Sequence, residues 1–258
     1  MKNFKERVII ALDYDNLDSV RNILERLKGE AYFYKIGSAL FTSCGIQSVK
    51  LVRDYGCRIF LDLKFHDIPN TVYNAVKSAG ELGADIINIH ASGGVDMMKS
   101  AKKGAIEAAK KTGKNIDVIA VTILTSLAQE DLRDIFYYSG HGVNSENLKS
   151  GNEGNVSNLV LHLAELAKIS GLDGVVCSGY ESIEIKKVLG DNFKTIVPGI
   201  RLKTGKIDDQ KRIMTPSAAF NSGADYIVIG REITGADSPA DALQNIYSDI
   251  EKNALTLK

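Results

Sequence analysis

Residues 59–67 read Ile59-Phe60-Leu61-Asp62-Leu63-Lys64-Phe65-His66-Asp67, an apolar strand interrupted by charge. Side chains alternate across a β-strand, so Asp62 and Lys64 share one face while Leu61, Leu63 and Phe65 take the other. In a parallel barrel the apolar set packs beneath the surrounding helices, and the charged pair then points into the barrel near its C-terminal rim. Removing such ions from water costs several kcal/mol apiece unless they are well paired. An ion pair that satisfies only itself is one reading; charges inside a barrel near its mouth favour a functional centre instead.

The pattern extends outward from this stretch in both directions. Strand candidates are RVIIALD from Arg7, YFYKIG from Tyr32, RIFLDLKF from Arg58, DIINIHA from Asp85, DVIAVTIL from Asp117, GVVCSG from Gly174, KTIVPGIR from Lys194 and YIVIGREI from Tyr226. Amphipathic stretches alternate with them, among them LDSVRNILERLKGE, TVYNAVKSAGELGA, MMKSAKKGAIEAAKKTG, NLVLHLAELAKISG and PADALQNIYSDIEKNAL. Several end in Gly just before the next strand, as helix C-termini prefer. Eight β-then-α cycles without a linker or composition break predict one α/β domain over residues 1–258, a single (β/α)8 TIM barrel. A doubly wound open sheet is the alternative, but it would normally carry a GxGxxG turn after an early strand, and the sequence has none. Two connections are long or highly polar: Ser126 to about Ser157, and LKTGKIDDQKRI after the seventh strand, a candidate lid.

With 258 residues, 44% of them hydrophobic, the chain can bury a sizeable core. Its 32 basic residues balance 32 acidic ones, which gives no electrostatic case for nucleic acid or an acidic membrane surface. The N-terminal apolar run VIIAL is too short for a signal segment or a membrane span, so a cytoplasmic protein is expected. Cys44, Cys57 and Cys177 are odd in number and lack CxxC spacing, so neither a disulfide framework nor a zinc site is expected.

Two further charges obey the geometry of the opening stretch. Asp13 closes the first strand and Lys35 lies near the end of the second, which would place Asp13, Lys35, Asp62, Lys64 and Asp67 around one mouth. Alternating signs at close range hold carboxylates ionised and a lysine protonated. The far side carries an anion signal: Pro198-Gly199-Ile200-Arg201 after the seventh strand and Gly230-Arg231 after the eighth, where such barrels bind phosphate, with Gln210 on the loop between. His66 and His90 are read mainly as structural hydrogen-bonding groups, and His141 and His162 as surface or core positions. No nucleophile motif and no metal-ligand spacing is present, so no metal is expected.

Read together, ALD with Asp13, YKIG with Lys35, FLDLKFHDIPNT, LTS with Thr125, GVVCS, PGIR with Arg201, Gln210 and VIGREIT with Gly230 and Arg231 resemble the orotidine 5′-phosphate decarboxylase family. The resemblance runs in order over nearly the whole chain, and D-x-K-x-x-D followed by I-P-N-T is its most specific part. It implies conversion of orotidine 5′-phosphate to UMP and CO2, the last step of de novo pyrimidine nucleotide synthesis, with no cofactor. It further implies that Lys64 gives the proton to C6, Asp62 faces the substrate carboxylate, and Asp13 and Lys35 bind the ribose. Thr125 would contact the pyrimidine, Pro198 would line the site, and Arg201, Gln210, Gly230 and Arg231 would hold the phosphate. Asp67, Ile68 and Thr71 would reach into the partner's site of a homodimer. Rivals are a magnesium-dependent sugar-phosphate relative of the same barrel group and a catalytically silent UMP-sensing barrel.

Overall fold

The computed structural model describes residues 4–127, 129–136, 156–202 and 214–254. Eight parallel strands close into a barrel in sequence order: β1 (Val8–Leu12), β2 (Phe33–Gly37), β3 (Arg58–Phe65), β4 (Ile86–His90), β5 (Asp117–Val121), β6 (Gly174–Val176), β7 (Lys194–Val197) and β8 (Tyr226–Ile229). The eighth strand pairs back onto the first through Ile9 and Val228. This is the (β/α)8 barrel expected from the alternating pattern.

The strand faces sort as period-two packing requires. Ile9, Ala11, Phe33, Phe60, Ile86, Ile119, Ile196 and Val228 meet inside the barrel as one buried cluster. The intervening residues, such as Ile10, Tyr34, Leu61, Ile87, Val118 and Ile227, join the larger core beneath the helices. The N-terminal end of the lumen is closed by the Arg58 guanidinium over the Phe33 ring, an edge-on contact of Phe33 with Tyr226, and the Lys194–Asp117 ion pair at 2.5 Å. With that end filled, the lumen is open to a ligand at its C-terminal mouth.

Three helix-to-strand turns use one device. Gly83-Ala84-Asp85, Gly171-Leu172-Asp173 and Gly223-Ala224-Asp225 each carry a glycine at positive φ (105°, 81° and 91°), the conformation an L side chain resists. The middle residue is buried, and the Asp then makes a two-way contact with one residue of the preceding strand. The Asp85, Asp173 and Asp225 N–H groups donate to the carbonyls of Ile59, Val118 and Thr195. Their carboxylates accept the N–H groups of those same three residues at 2.8, 2.7 and 2.8 Å. Each carboxylate also meets a cation: Arg53 at 3.4 Å, Lys102 at 2.6 Å and Lys186 at 2.5 Å. The turn thereby fixes strand register from the bottom of the barrel, away from the mouth.

Element ends depart from the sequence expectation where polar residues follow a strand. The eighth strand, expected to run to Ile233, stops at Ile229, and Arg231–Thr234 is a short helix. The seventh stops at Val197, after which Ile200 makes only an isolated bridge to Met214. Apolar residues alone do not hold a strand once Pro198 and Gly199, at φ 77°, turn the chain. Within the expected Ser126–Ser157 loop, Gln129–Phe136 is helical and the helix Val156–Ile169 begins; residues 137–155 lie outside the described residues. The polar loop carrying Gln210 also lies outside them. Two helices between β2 and β3, Ser38–Cys44 and Ile46–Asp54, escape a periodicity reading because Gly45 divides them into pieces too short to show a clear stripe.

The turn device predicts a graded stability cost. Asp225→Ala removes the acceptor of the Thr195 N–H and leaves Lys186, whose side chain is 11% exposed, with the Asp191 and Phe193 carbonyls alone. A loss of about 3 kcal/mol is expected. Asp85→Ala faces a longer and more exposed cation in Arg53, and about 1–2 kcal/mol is expected. Urea unfolding of the two variants measures the difference, and equal losses would contradict this account of the turns.

Candidate active site

The mouth is built on an irregularity in β3. Between Leu61, opposite Ile87, and Phe65, opposite Ile89, β3 advances four residues while β4 advances two. The surplus is taken up at Lys64, whose φ of 50° makes it the one non-glycine residue at positive φ among the described residues. A side chain in that region costs roughly 1 kcal/mol or more and persists only where its surroundings enforce it. The strand bulges where its charged residues stand, and the bulge turns the Lys64 ammonium back onto its own neighbour.

That neighbour, Asp62, is the centre of the array and is only 8% exposed. Lys64 Nζ lies 2.6 Å from Asp62 Oδ1, and Lys35 Nζ lies 3.3 Å from Asp62 Oδ2. Lys35 reaches Asp13 Oδ1 as well, again at 3.3 Å. Charges thus alternate along Asp13, Lys35, Asp62 and Lys64, drawn from β3 and from the ends of β1 and β2. Burial pushes the Asp62 carboxyl up, but Lys35, Lys64 and hydrogen bonds from Lys64 and Asn88 outweigh it, and the net pKa lies below the usual carboxylate value. Asp62 is therefore ionised throughout the neutral range.

Asn88, on β4, is a member of the site that the sequence reading did not single out. It is 1% exposed, its Nδ2 donates to Asp62 Oδ1 at 2.5 Å, and its Oδ1 accepts the Lys64 backbone N–H at 2.8 Å. The signal was present: Asn88 is a lone polar residue at an alternate position of IINIH, the same pattern that exposes Asp62 and Lys64.

These groups open onto a cavity of ≈ 270 Å³ at the C-terminal mouth. Its floor is apolar, with Phe60, Val121, Val176, Ile196 and Val228; the charged array, Arg201 and Arg231 also line it. Of the residues expected from sequence, Asp13, Lys35, Asp62, Lys64, Thr125, Pro198, Arg201, Gly230 and Arg231 all line it. Arg201 pairs with Glu232 at 3.6 Å. A Cβ on Gly230 would lie 3.3 Å from Asp13 Oδ2, so a side chain there would crowd the acid.

Asp67, Ile68 and Thr71 are exposed and are not among the residues lining this cavity. Within its own chain Asp67 accepts the Ile68 N–H at 2.6 Å, just before the helix Pro69–Glu81. His66 and His90 lie with ring centroids 5.5 Å apart, outside the lining. Burial, followed by His66 and Lys64, holds the His90 pKa below the ordinary histidine value, so His90 is neutral at pH 7. His162 is exposed on its helix, and His141 lies outside the described residues. Among the described residues, no group of three or more His, Cys, Asp or Glu side chains is placed to hold a metal ion.

Known proteins share this arrangement's sequence and fold. A sequence model of the orotidine 5′-phosphate decarboxylase / HUMPS family matches residues 6–246. A protein of Saccharophagus degradans named orotidine 5′-phosphate decarboxylase is 43% identical over 251 residues, covering 96% of this chain and 97% of that one. One of the same name from Bacillus cytotoxicus is 41% identical over 245 residues, covering 95% and 97%. The crystal structure of orotidine 5′-phosphate decarboxylase from Lactobacillus acidophilus superposes with a TM-score of 0.78 at 37% identity, covering 94% of this chain and 98% of that one.

The electrostatics of the array can be tested through Lys35. Because the Asp62 pKa is depressed on folding, its ionised pairing stabilises the fold above the usual carboxylate value and is lost as pH falls through the lower folded value. Lys35→Met leaves burial less opposed and raises that pKa. The variant should lose about 2–3 kcal/mol at pH 7, and the deficit should shrink towards about pH 3, where Asp62 can take up a proton. Urea unfolding at the two pH values measures this; a deficit independent of pH would show that Lys35 acts by packing alone.

Proposed function

The chain belongs to the orotidine 5′-phosphate decarboxylase / HUMPS family and is a carboxy-lyase, and we propose that it forms UMP and CO2 from orotidine 5′-phosphate with Lys64 as proton donor and without metal or organic cofactor. The observation that carries this reading is that the Asp13–Lys35–Asp62–Lys64 array and the cations Arg201 and Arg231 line one cavity. A ligand with a phosphate at one end and a carboxylate-bearing ring at the other suits such a cavity.

In this reading the phosphate is held by Arg201, Gly230 and Arg231, with Gln210 as a further amide donor, and the ribose hydroxyls meet Asp13 and Lys35. The pyrimidine lies over the apolar floor beside Thr125 and Pro198, and its carboxylate faces Asp62. Asp62 is ionised, so the two carboxylates repel, and that repulsion ends when CO2 leaves. As the C6–carboxylate bond breaks, its electron pair stays on C6 under the field of the Lys64 ammonium. A proton passes from Nζ to C6, and the amine regains one from solvent. Both oxygens of Asp62 are held by ammonium groups, an arrangement suited to proton delivery and ill suited to the magnesium-dependent chemistry of the sugar-phosphate rival. A UMP sensor would have no use for Lys64 at this position.

We place the enzyme in the cytoplasm as a homodimer in which Asp67, Ile68 and Thr71 complete the partner's site. The exposure of Ile68, 67%, next to the barrel mouth supports a contact there. Two measurements follow. The purified protein in excess EDTA should decarboxylate orotidine 5′-phosphate, and Lys64→Ala should lower kcat by ~10³-fold or more, the scale of one preorganised electrostatic group. Near-normal turnover by that variant would refute the mechanism. Mixing inactive Lys64→Ala and Asp67→Ala dimers under subunit exchange should restore activity towards about a quarter of wild type, since each heterodimer then has one intact site. Flat activity with exchange confirmed by mass would return Asp67 to its own chain.

A further inference from the structure

We propose that Asn88 is a positioning residue for the proton donor: its carboxamide ties the Lys64 backbone to the Asp62 carboxylate, and so sets where the Lys64 ammonium stands. The proposal rests on the reading of Lys64 as the donor, and it adds a residue that touches Lys64 and Asp62 through its two amide atoms.

The amide orientation follows from its partners. A backbone N–H can only donate and an ionised carboxylate can only accept, so Oδ1 must face Lys64 and Nδ2 must face Asp62. No other neutral side chain of this length presents both a donor and an acceptor in one rigid plane. Asn88 also sits at the one place where it is needed. Its strand neighbours Ile87 and Ile89 pair with Leu61 and Phe65, and Asn88 lies between them, opposite the surplus residues of β3. The bulge takes the Lys64 N–H out of the strand ladder, and the Asn88 carbonyl oxygen replaces the missing acceptor. A left-handed lysine requires enforcement from outside, and this hydrogen bond supplies it.

The second hydrogen bond gives Asp62 a donor that carries no charge. Lys64 and Lys35 hold the carboxylate by charge, while Asn88 holds it from β4 and leaves the net charge of the array unchanged. The groups that could couple to position 88 are Asp62 and Lys64 on β3, Lys35 beyond Asp62 on β2, and His90 two residues along β4 with His66 packed on it. On the other side β5 presents the apolar Ile119, paired with Asn88 in register.

Two substitutions separate the two amide functions. Asn88→Ala removes both. Asn88→Asp keeps an acceptor for the Lys64 N–H but replaces the donor to Asp62 with a carboxyl that must hold a proton to make the same hydrogen bond. Amide hydrogen exchange followed by NMR, without substrate, should show Lys64 N–H protection falling ~10-fold or more in Asn88→Ala and kept in Asn88→Asp. In kinetics, Asn88→Ala should lower kcat about 10²-fold, as expected of a misplaced reacting group, with UMP affinity changed less than about threefold. Asn88→Asp should show a kcat that falls with rising pH through an added ionisation absent from wild type. Unchanged Lys64 exchange in Asn88→Ala, an Asn88→Asp profile parallel to wild type, or equal losses in kcat and UMP affinity would each overturn the proposal. A wild-type protein inactive on orotidine 5′-phosphate would instead defeat the functional reading, and the exchange data would still decide whether Asn88 positions Lys64.

Discussion

The Asp62 carboxylate is the point on which the mouth of the barrel is organised. It is buried, and a buried carboxylate without partners would either take up a proton or destabilise the fold by several kcal/mol. Its needs are met from three strands: Lys35 on β2, Lys64 on β3 and Asn88 on β4. Meeting them forces β3 to bulge and Lys64 into a left-handed backbone, and places two ammonium groups at the edge of a cavity. The strain in Lys64, the register shift between β3 and β4 and the depressed Asp62 pKa thus have a common origin.

The two ends of the barrel treat charge in opposite ways. At the bottom, each of the aspartates Asp85, Asp173 and Asp225 accepts a backbone N–H and one cation, and Lys194 is closed onto Asp117. Those carboxylates are used up in holding strands in register. At the top, the array remains open on its lumen side, where Lys64 keeps 35% of its side-chain surface accessible. A chain of alternating charges with one face uncovered can respond to a ligand that brings its own carboxylate and phosphate. Stability and chemistry are thereby separated along one axis, which permits the strain at Lys64 to persist on a well-fixed scaffold.

Much of this was legible in the residues. Period-two alternation in IFLDLKFHD puts Asp62 and Lys64 on the lumen face, and the same rule places Asp13 and Lys35; all four meet in the structure. Periodicity cannot show a bulge, because the Asp62, Lys64 alternation reads the same whether or not the strand stays in register, so neither the φ of Lys64 nor the reach of Asn88 was visible. Asn88 is harder to read than Asp62 for a different reason: a neutral amide carries no charge, although its burial on an apolar strand demands partners as firmly. The sequence pattern runs past the strand ends at Val197 and Ile229 because Ile200 and Ile233 are apolar, whereas the backbone itself leaves the strand at Pro198 and Gly230. The partner-site roles proposed for Asp67, Ile68 and Thr71 rest on the family resemblance, since a single chain places all three on its surface.

The most direct test of the account is the titration of Asp62 itself. Carboxyl ¹³C NMR of the ligand-free protein, with the Asp62 signal identified by its loss in Asp62→Asn, reports the protonation state of that group as pH is lowered. If Lys35, Lys64 and Asn88 together outweigh burial, the midpoint lies below the usual aspartate value of about 3.9. A midpoint above that value would mean that burial dominates, that Asp62 is not the anionic centre holding the two lysines, and that the proposed organisation of the mouth is wrong.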